Sequence, residues 1–86
     1  MRHIAFTELA FREYNEWLEH PDTLKKIRAL IRDTLDNPFK GLGKPEPLKG
    51  NYSGYWSRRI TDEHRFIYAV TNDEILVYSL KGHYTK

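Results

Sequence analysis

Cysteine is absent from this chain of 86 residues, which excludes a disulfide framework and any thiolate metal site. Long hydrophobic runs are absent as well. The longest, Phe66 to Val70, cannot span a bilayer, and the opening Met1-Arg2-His3-Ile4-Ala5-Phe6-Thr7-Glu8 turns polar too early for a signal-peptide core. The expectation is a soluble protein of the cytoplasm with no membrane contact. The four histidines, His3, His20, His64 and His83, include no pair at the i, i+4 spacing of a helical metal site, so neither metal nor cofactor is expected. Glycine and proline are scarce outside one stretch: residues 37–54 hold three of the four prolines and four of the five glycines. That stretch is read as neither helix nor regular strand.

What is present is aromatic and charged. Twelve aromatics (two Trp, six Tyr, four Phe) supply a dense core for a chain that has room for a single domain, residues 1–86. The net charge of +2 is unevenly placed. Residues 1–36 carry six Lys/Arg against seven Asp/Glu, net −1, whereas residues 37–86 carry eight against five, net +3. The basic excess favours a phosphate-bearing partner for the second half.

Periodicity divides the chain. Arg2 to Phe6 is short enough for an edge strand, with Thr7 as N-cap of a following helix. Ala10, Phe11, Tyr14, Trp17 and Leu18 form its apolar stripe, leaving Glu13, Glu16 and Glu19 to the wet side. His20-Pro21-Asp22 interrupts it, with Asp22 or Thr23 available to cap a second helix. Leu24, Ile27, Leu30, Ile31 and Leu35 form that helix's stripe, and Asn37-Pro38 ends it. Three β segments follow, Gly54 to Thr61, His64 to Thr71 and Glu74 to Tyr84, separated by Asp62-Glu63 and Asn72-Asp73. The predicted fold is α+β: an N-terminal strand and a two-helix hairpin packed on an antiparallel sheet built from a C-terminal three-strand meander.

A carboxylate, arginines, an imidazole and a phenol are the groups needed to cleave an RNA phosphodiester without a metal. Glu46, bracketed by Pro45 and Pro47, is the candidate base, against the plainer reading of a loop charge paired with Lys44 or Lys49. His83 is the candidate acid because imidazole titrates near neutrality, and the competing reading is a histidine at a frayed end. Arg65 offers a fork of donors for a phosphate. Arg58 and Arg59 project to opposite faces of a strand, so one can join Arg65 and the other is left as surface charge or partner contact. Lys44 and Lys49 suit backbone phosphates or solvent. Tyr84 can orient a phosphate or stack on a base, or close the core. Tyr52, Tyr55 and Trp56 read as packing residues, and His3, His20 and His64 as surface or turn residues.

Two-residue turns would set Thr61 opposite His64 and Thr71 opposite Glu74. Arg65 then shares a face with Arg58, Ile60, Ile67, Leu80 and Tyr84, while His83 falls on the other face. A slip at Gly82, a longer turn or a tail leaving the sheet edge would each bring His83 to Arg65, and the residues leave these open.

The ordered set formed by Asn37-Pro38-Phe39, Gly43-Lys44-Pro45-Glu46-Pro47-Leu48-Lys49, Ser53-Gly54, Trp56-Ser57-Arg58-Arg59-Ile60, Glu63-His64-Arg65 and His83-Tyr84 resembles the YoeB/Txe family of bacterial toxins. That family lies within the RelE-like, ribosome-dependent mRNA endonucleases. The resemblance implies a RelE-like fold that cuts mRNA in the ribosomal A site, beside rRNA, and so inhibits translation. It assigns Glu46 as general base, Arg65 as phosphate stabiliser, His83 as general acid and Tyr84 as an orienting residue, with Lys49 and Arg59 as RNA contacts; Lys44 joins them as an RNA-binding candidate on its charge alone. It also implies a cognate YefM/Axe-like antitoxin and a homodimer. The competing class is a non-catalytic RNA- or ribosome-binding module, or an inactive toxin remnant that binds an antitoxin.

Overall fold

The computed structural model describes residues 2–83. Strand β1 (His3–Phe6) leads into helix α1 (Glu8–Trp17), where Thr7 is the N-cap and its Oγ1 accepts the Ala10 N–H at 3.0 Å. Helix α2 (Pro21–Asp36) follows directly. Its cap falls on His20 and no side chain caps it, in contrast to the expected Asp22 or Thr23. Pro21 in the first turn needs no N–H partner, and Asp22 lies one residue inside, where its carboxylate meets the helix dipole. Asn37, ahead of Pro38, is extended and ends α2.

The sheet has five strands in the order β1-β5-β4-β3-β2, with β2 at Glu46–Pro47, β3 at Tyr55–Arg59, β4 at Arg65–Val70 and β5 at Glu74–Gly82. β1 lies on one edge and pairs parallel with β5, and every other neighbour is antiparallel. The C-terminal meander is therefore as expected, widened by a strand at each edge. Both helices cover one face. Ala10, Trp17, Leu24, Ile27 and Leu30 pack there with Ile60, Phe66, Tyr68, Ile75, Val77 and Leu80.

Three local expectations are corrected. The stretch 37–54 is not wholly irregular, since Glu46 and Pro47 pair with Ser57 and Trp56 and a 3-10 turn spans Gly50–Tyr52. The first hairpin is one residue longer than a two-residue turn: Arg59 faces Arg65, and the Ile60 N–H reaches the His64 carbonyl at 3.0 Å. Thr61 organises this longer turn, its Oγ1 accepting the N–H groups of Glu63 and His64. The extra residue inverts the arginine pair, so Arg59 rather than Arg58 shares the Arg65 face. The second hairpin keeps the expected step, with the Thr71 N–H bonded to Glu74 O, but β5 then slips twice against β4, between Tyr68 and Ile67 and between Ile67 and Arg65.

Arg58, read from sequence as surface charge or partner contact if not aimed with Arg65, is fully buried. Its Nε donates to the Tyr68 hydroxyl at 3.1 Å, Nη1 to Asp33 Oδ2 at 2.6 Å and Leu42 O at 3.1 Å, and Nη2 to Asn37 O at 2.6 Å and Lys40 O at 3.2 Å. A guanidinium has five N–H donors, and all five are used. Asp33 also accepts the Leu42 N–H, and Tyr68 donates to Pro38 O. The hub thus ties α2, the 37–42 loop and the sheet together. It anchors the chain on its way to β2.

The Leu42 N–H and the Arg58 guanidinium hold the Asp33 carboxyl below its usual pKa, while burial pushes the Tyr68 phenol up. A lowered carboxylate contributes stability above its unfolded pKa and loses it as pH falls through the folded one. The stability gap between the wild type and Asp33→Asn should therefore narrow progressively once pH drops below about 4. Urea unfolding across acidic pH measures it, and a gap that stays constant through that range contradicts the assignment.

Candidate active site

The face of the sheet turned away from the helices carries the chemistry. Glu46 is directly opposed to Ser57 across β2 and β3, so both point to one side. Two residues along β3, Arg59 is opposed to Arg65, which is in turn opposed to Gly82 of β5. One row of cross-strand neighbours therefore aligns Arg59, Arg65 and Gly82, with Glu46 set back one row at the β2 edge. By strand geometry Glu46 and Arg65 lie about 10 Å apart across the sheet and about 7 Å along it at the backbone. Extended side chains can close much of that interval.

Each member is held by its neighbours. The loop before β2 docks through the Gly43 carbonyl, which accepts the Arg59 N–H at 2.7 Å. Gly43 has a φ of 76°, and a Cβ there would lie 2.9 Å from Leu30 Cδ2 and 3.1 Å from the Arg59 carbonyl oxygen, so only glycine lets this loop lie against the sheet. Lys44 follows at a φ of 52°, a left-handed conformation that costs a non-glycine residue on the order of 1–2 kcal/mol. The entry to Glu46 is strained but fixed. Lys44, Lys49 and Arg59 are all exposed.

Arg65 turns its guanidinium onto the hairpin that precedes it. Nη1 donates to Thr61 O at 2.8 Å, and to Asp62 O and His64 O at 3.2 Å each. Among the described residues its hydrogen bonds all involve Nη1. The Nε–Nη2 edge, which no described residue takes, has the geometry for a bidentate acceptor such as a phosphate.

His83 is exposed and immediately follows Gly82, the partner of Arg65. Its ring lies 5.5 Å from that of His64, and His64 meets Trp17 edge-on at 5.2 Å. The two slips in β5 shift the ladder by two residues in all, so Gly82 stays on the Arg65 face, and β5 ends there. His83 therefore contacts His64, which itself packs on Trp17 of α1, so the slips leave His83 toward the helix side of the sheet end and do not carry it onto the Arg65 face. Tyr84 lies outside the described residues.

Glu13 and His64 did not stand out as site-related in the sequence. The sequence pattern puts Glu13 on the wet side, yet it sits three residues after Ala10 and four before Trp17, beside the buried stripe, and its carboxylate reaches β5. That spacing was the available signal. For His64, the rings of Trp17 and His83 come from distant segments, and nothing local marks it. Among the described residues no cluster of three or more His, Asp or Glu side chains could hold a metal, and no helix is long and apolar enough to cross a membrane.

Two helices on one face of a mixed five-stranded sheet, with a carboxylate and paired arginines on the other, define a RelE-like toxin architecture. The chain belongs to the family of YoeB-like toxins of bacterial type II toxin-antitoxin systems, whose sequence profile matches residues 6–84. Toxin YoeB of Escherichia coli K12 is 50% identical over 82 residues, covering 94% of this chain and 98% of that protein. Among solved structures, the YoeB/ParE toxin from Agrobacterium tumefaciens superposes with a TM-score of 0.91 at 44% identity, over 95% of this chain and 99% of that one. A YoeB from Staphylococcus aureus, in a heterotetrameric YoeB-YefM toxin-antitoxin complex, gives a TM-score of 0.87 at 40% identity over 98% and 99%. This chain is accordingly a toxin of a toxin-antitoxin pair.

Proposed function

We propose that the toxin is an endoribonuclease that cuts mRNA in the ribosomal A site by metal-independent transesterification. Glu46 removes the proton from a ribose 2′-OH, whose oxygen attacks the adjacent phosphorus. Arg65, through its Nε–Nη2 edge, stabilises the added negative charge on the phosphorane. The bond from phosphorus to the 5′-oxygen breaks and His83 supplies that oxygen with a proton. A 2′,3′-cyclic phosphate and a 5′-hydroxyl result. Arg59, Lys44 and Lys49 contact RNA phosphates, and Tyr84 orients the scissile group.

The single observation that carries this reading is the shared open face of Glu46, Arg59 and Arg65, with His83 one residue beyond the cross-strand partner of Arg65. A base and a phosphate clamp on separate strands, with an imidazole just past the end of β5, suit in-line attack better than simple binding, which needs only the cations. The partners are mRNA on the ribosome and a YefM/Axe-like antitoxin, in keeping with the YefM seen on the Staphylococcus relative. A groove of about 460 Å³ lined by Ile4, Phe6, Phe11, Tyr14, Ile31 and Leu35 offers an apolar surface for a protein partner, the second copy of a homodimer included.

Purified toxin added to ribosomes programmed with a defined message should generate new 5′-hydroxyl ends in the A-site codon, and none on the same message without ribosomes. Antitoxin should abolish the cut. Salt-dependent RNA binding without new ends would instead establish the non-catalytic reading.

A further inference from the structure

We infer that Glu13 of α1 is a positioning residue for His83, fixing the phase in which β5 delivers the end of the sheet. The inference rests on the reading of His83 as the acid. Strand β5 runs in step with β4 from Ile75, opposite Val70, to Val77, opposite Tyr68. Beyond that point it gains two residues, because Ile67 meets Ser79 and Arg65 meets Gly82. Extra residues in a ladder leave amide N–H groups without cross-strand partners. Here one oxygen of Glu13 collects them, accepting the Leu80 N–H at 2.8 Å, the Lys81 N–H at 3.3 Å and the Ser79 hydroxyl at 3.1 Å.

Three further contacts grip two of these residues, Leu80 and Lys81. Trp17 Nε1 donates to the Leu80 carbonyl at 3.0 Å, and Lys81 pairs with Glu16 at 3.0 Å while its ammonium lies 5.2 Å from the Trp17 ring centroid. Gly82 comes next, so close to Ile67 that a Cβ would stand 2.4 Å from its Cδ1. Without the Glu13 acceptor, the Leu80 N–H loses its partner and the Lys81 N–H keeps only the Ser79 hydroxyl oxygen at 3.3 Å, so closing the ladder becomes the way to satisfy both. A continuous ladder in the step of Tyr68 and Val77 sets Leu80 opposite Arg65 and carries His83 two residues further, about 7 Å along the strand. The acid would then lie out of reach of the scissile oxygen. Glu13 acts through β5, by the N–H groups of Leu80 and Lys81 and the Ser79 hydroxyl.

The test is single-turnover cleavage on programmed ribosomes with two messages, one unmodified and one with sulfur in place of the 5′-bridging oxygen. A thiolate leaves without a proton, so the sulfur message does not need the acid. Glu13→Ala should slow cleavage of the unmodified message by roughly tenfold or more, with KM within about twofold, and should cut the sulfur message close to the wild-type rate. Glu13→Gln, which keeps a neutral acceptor, should recover to within about threefold of wild type. Should Glu13→Ala fail to fold, Glu13→Asp, one methylene short, should show the same message-dependent loss. Equal losses on both messages, or no loss on either, overturn the role of Glu13. His83→Ala runs alongside: if sulfur does not restore its rate, the assignment of the acid fails, and it fails separately from the hydrogen bonds of Glu13.

Discussion

Arg58→Ala should lower the unfolding free energy by about 2–4 kcal/mol, the cost of removing a fully buried guanidinium whose loop and side-chain acceptors are left short of a donor, with the left-over Asp33 carboxylate partly hydrated. A domain of this length holds only about 4–13 kcal/mol in all, so the variant should melt far below the wild type or fail to fold at physiological temperature. The reason lies in what the guanidinium leaves behind. Its loss takes the donor from three carbonyls of the 37–42 loop and one partner each from the Asp33 carboxylate, which keeps the Leu42 N–H, and the Tyr68 hydroxyl, which keeps Pro38 O. Arg58→Lys should not rescue the fold, since an ammonium cannot place five donors in a plane. Urea unfolding of Arg58→Ala, Asp33→Ala and the double variant measures the coupling, and the double variant should lose much less than the two single losses added together. A loss below about 1 kcal/mol for Arg58→Ala would place its energetic weight with an ordinary surface pair.

Glu46→Gln should reduce single-turnover cleavage on the ribosome by about 10²–10⁴-fold, because the amide keeps the shape of the side chain and removes the base. Arg65→Ala should cost about 10²–10³-fold through loss of charge stabilisation. Both variants should still bind programmed ribosomes, since Arg59, Lys44 and Lys49 lie on other loops and strands. Arg59→Ala should do the reverse, weakening association and flattening its dependence on salt while the rate at saturation changes little. Rate and affinity measured separately distinguish the groups. If Glu46→Gln cuts at the wild-type rate, another base must be sought on the same face.

Much of this molecule was legible without coordinates, and the reason is locality. The stripes of α1 and α2 repeat every three to four residues, and Asn37-Pro38 ends the second helix through contacts between neighbours. Glu46, Arg65 and His83 stood out because each belongs to an ordered set of residues shared with a known family. The turn at 61–63 misled because the Thr61 hydroxyl, not the sequence Asp62-Glu63, sets its length, and one added residue exchanges Arg58 with Arg59. Arg58 was misplaced because arginine is usually exposed, and its burial depends on a carboxylate 25 positions away in α2. Asp33, three residues past Leu30 on the border of the apolar stripe, was the clue. The slips in β5 were harder still, since the acceptor that holds them is 67 positions from Leu80.

The place of β5 in the sheet bears on when this toxin can come into being. β5 joins β1 on one side to β4 on the other, yet it is the last of the described strands to be synthesised. A nascent chain bearing everything up to Val70 possesses both helices and no neighbour for β1, so the sheet cannot assemble in its native order until residue 82 has left the exit tunnel. Glu46, Arg65 and the end of β5 are thereby brought into one sheet only after β5 has emerged to bridge β1 and β4.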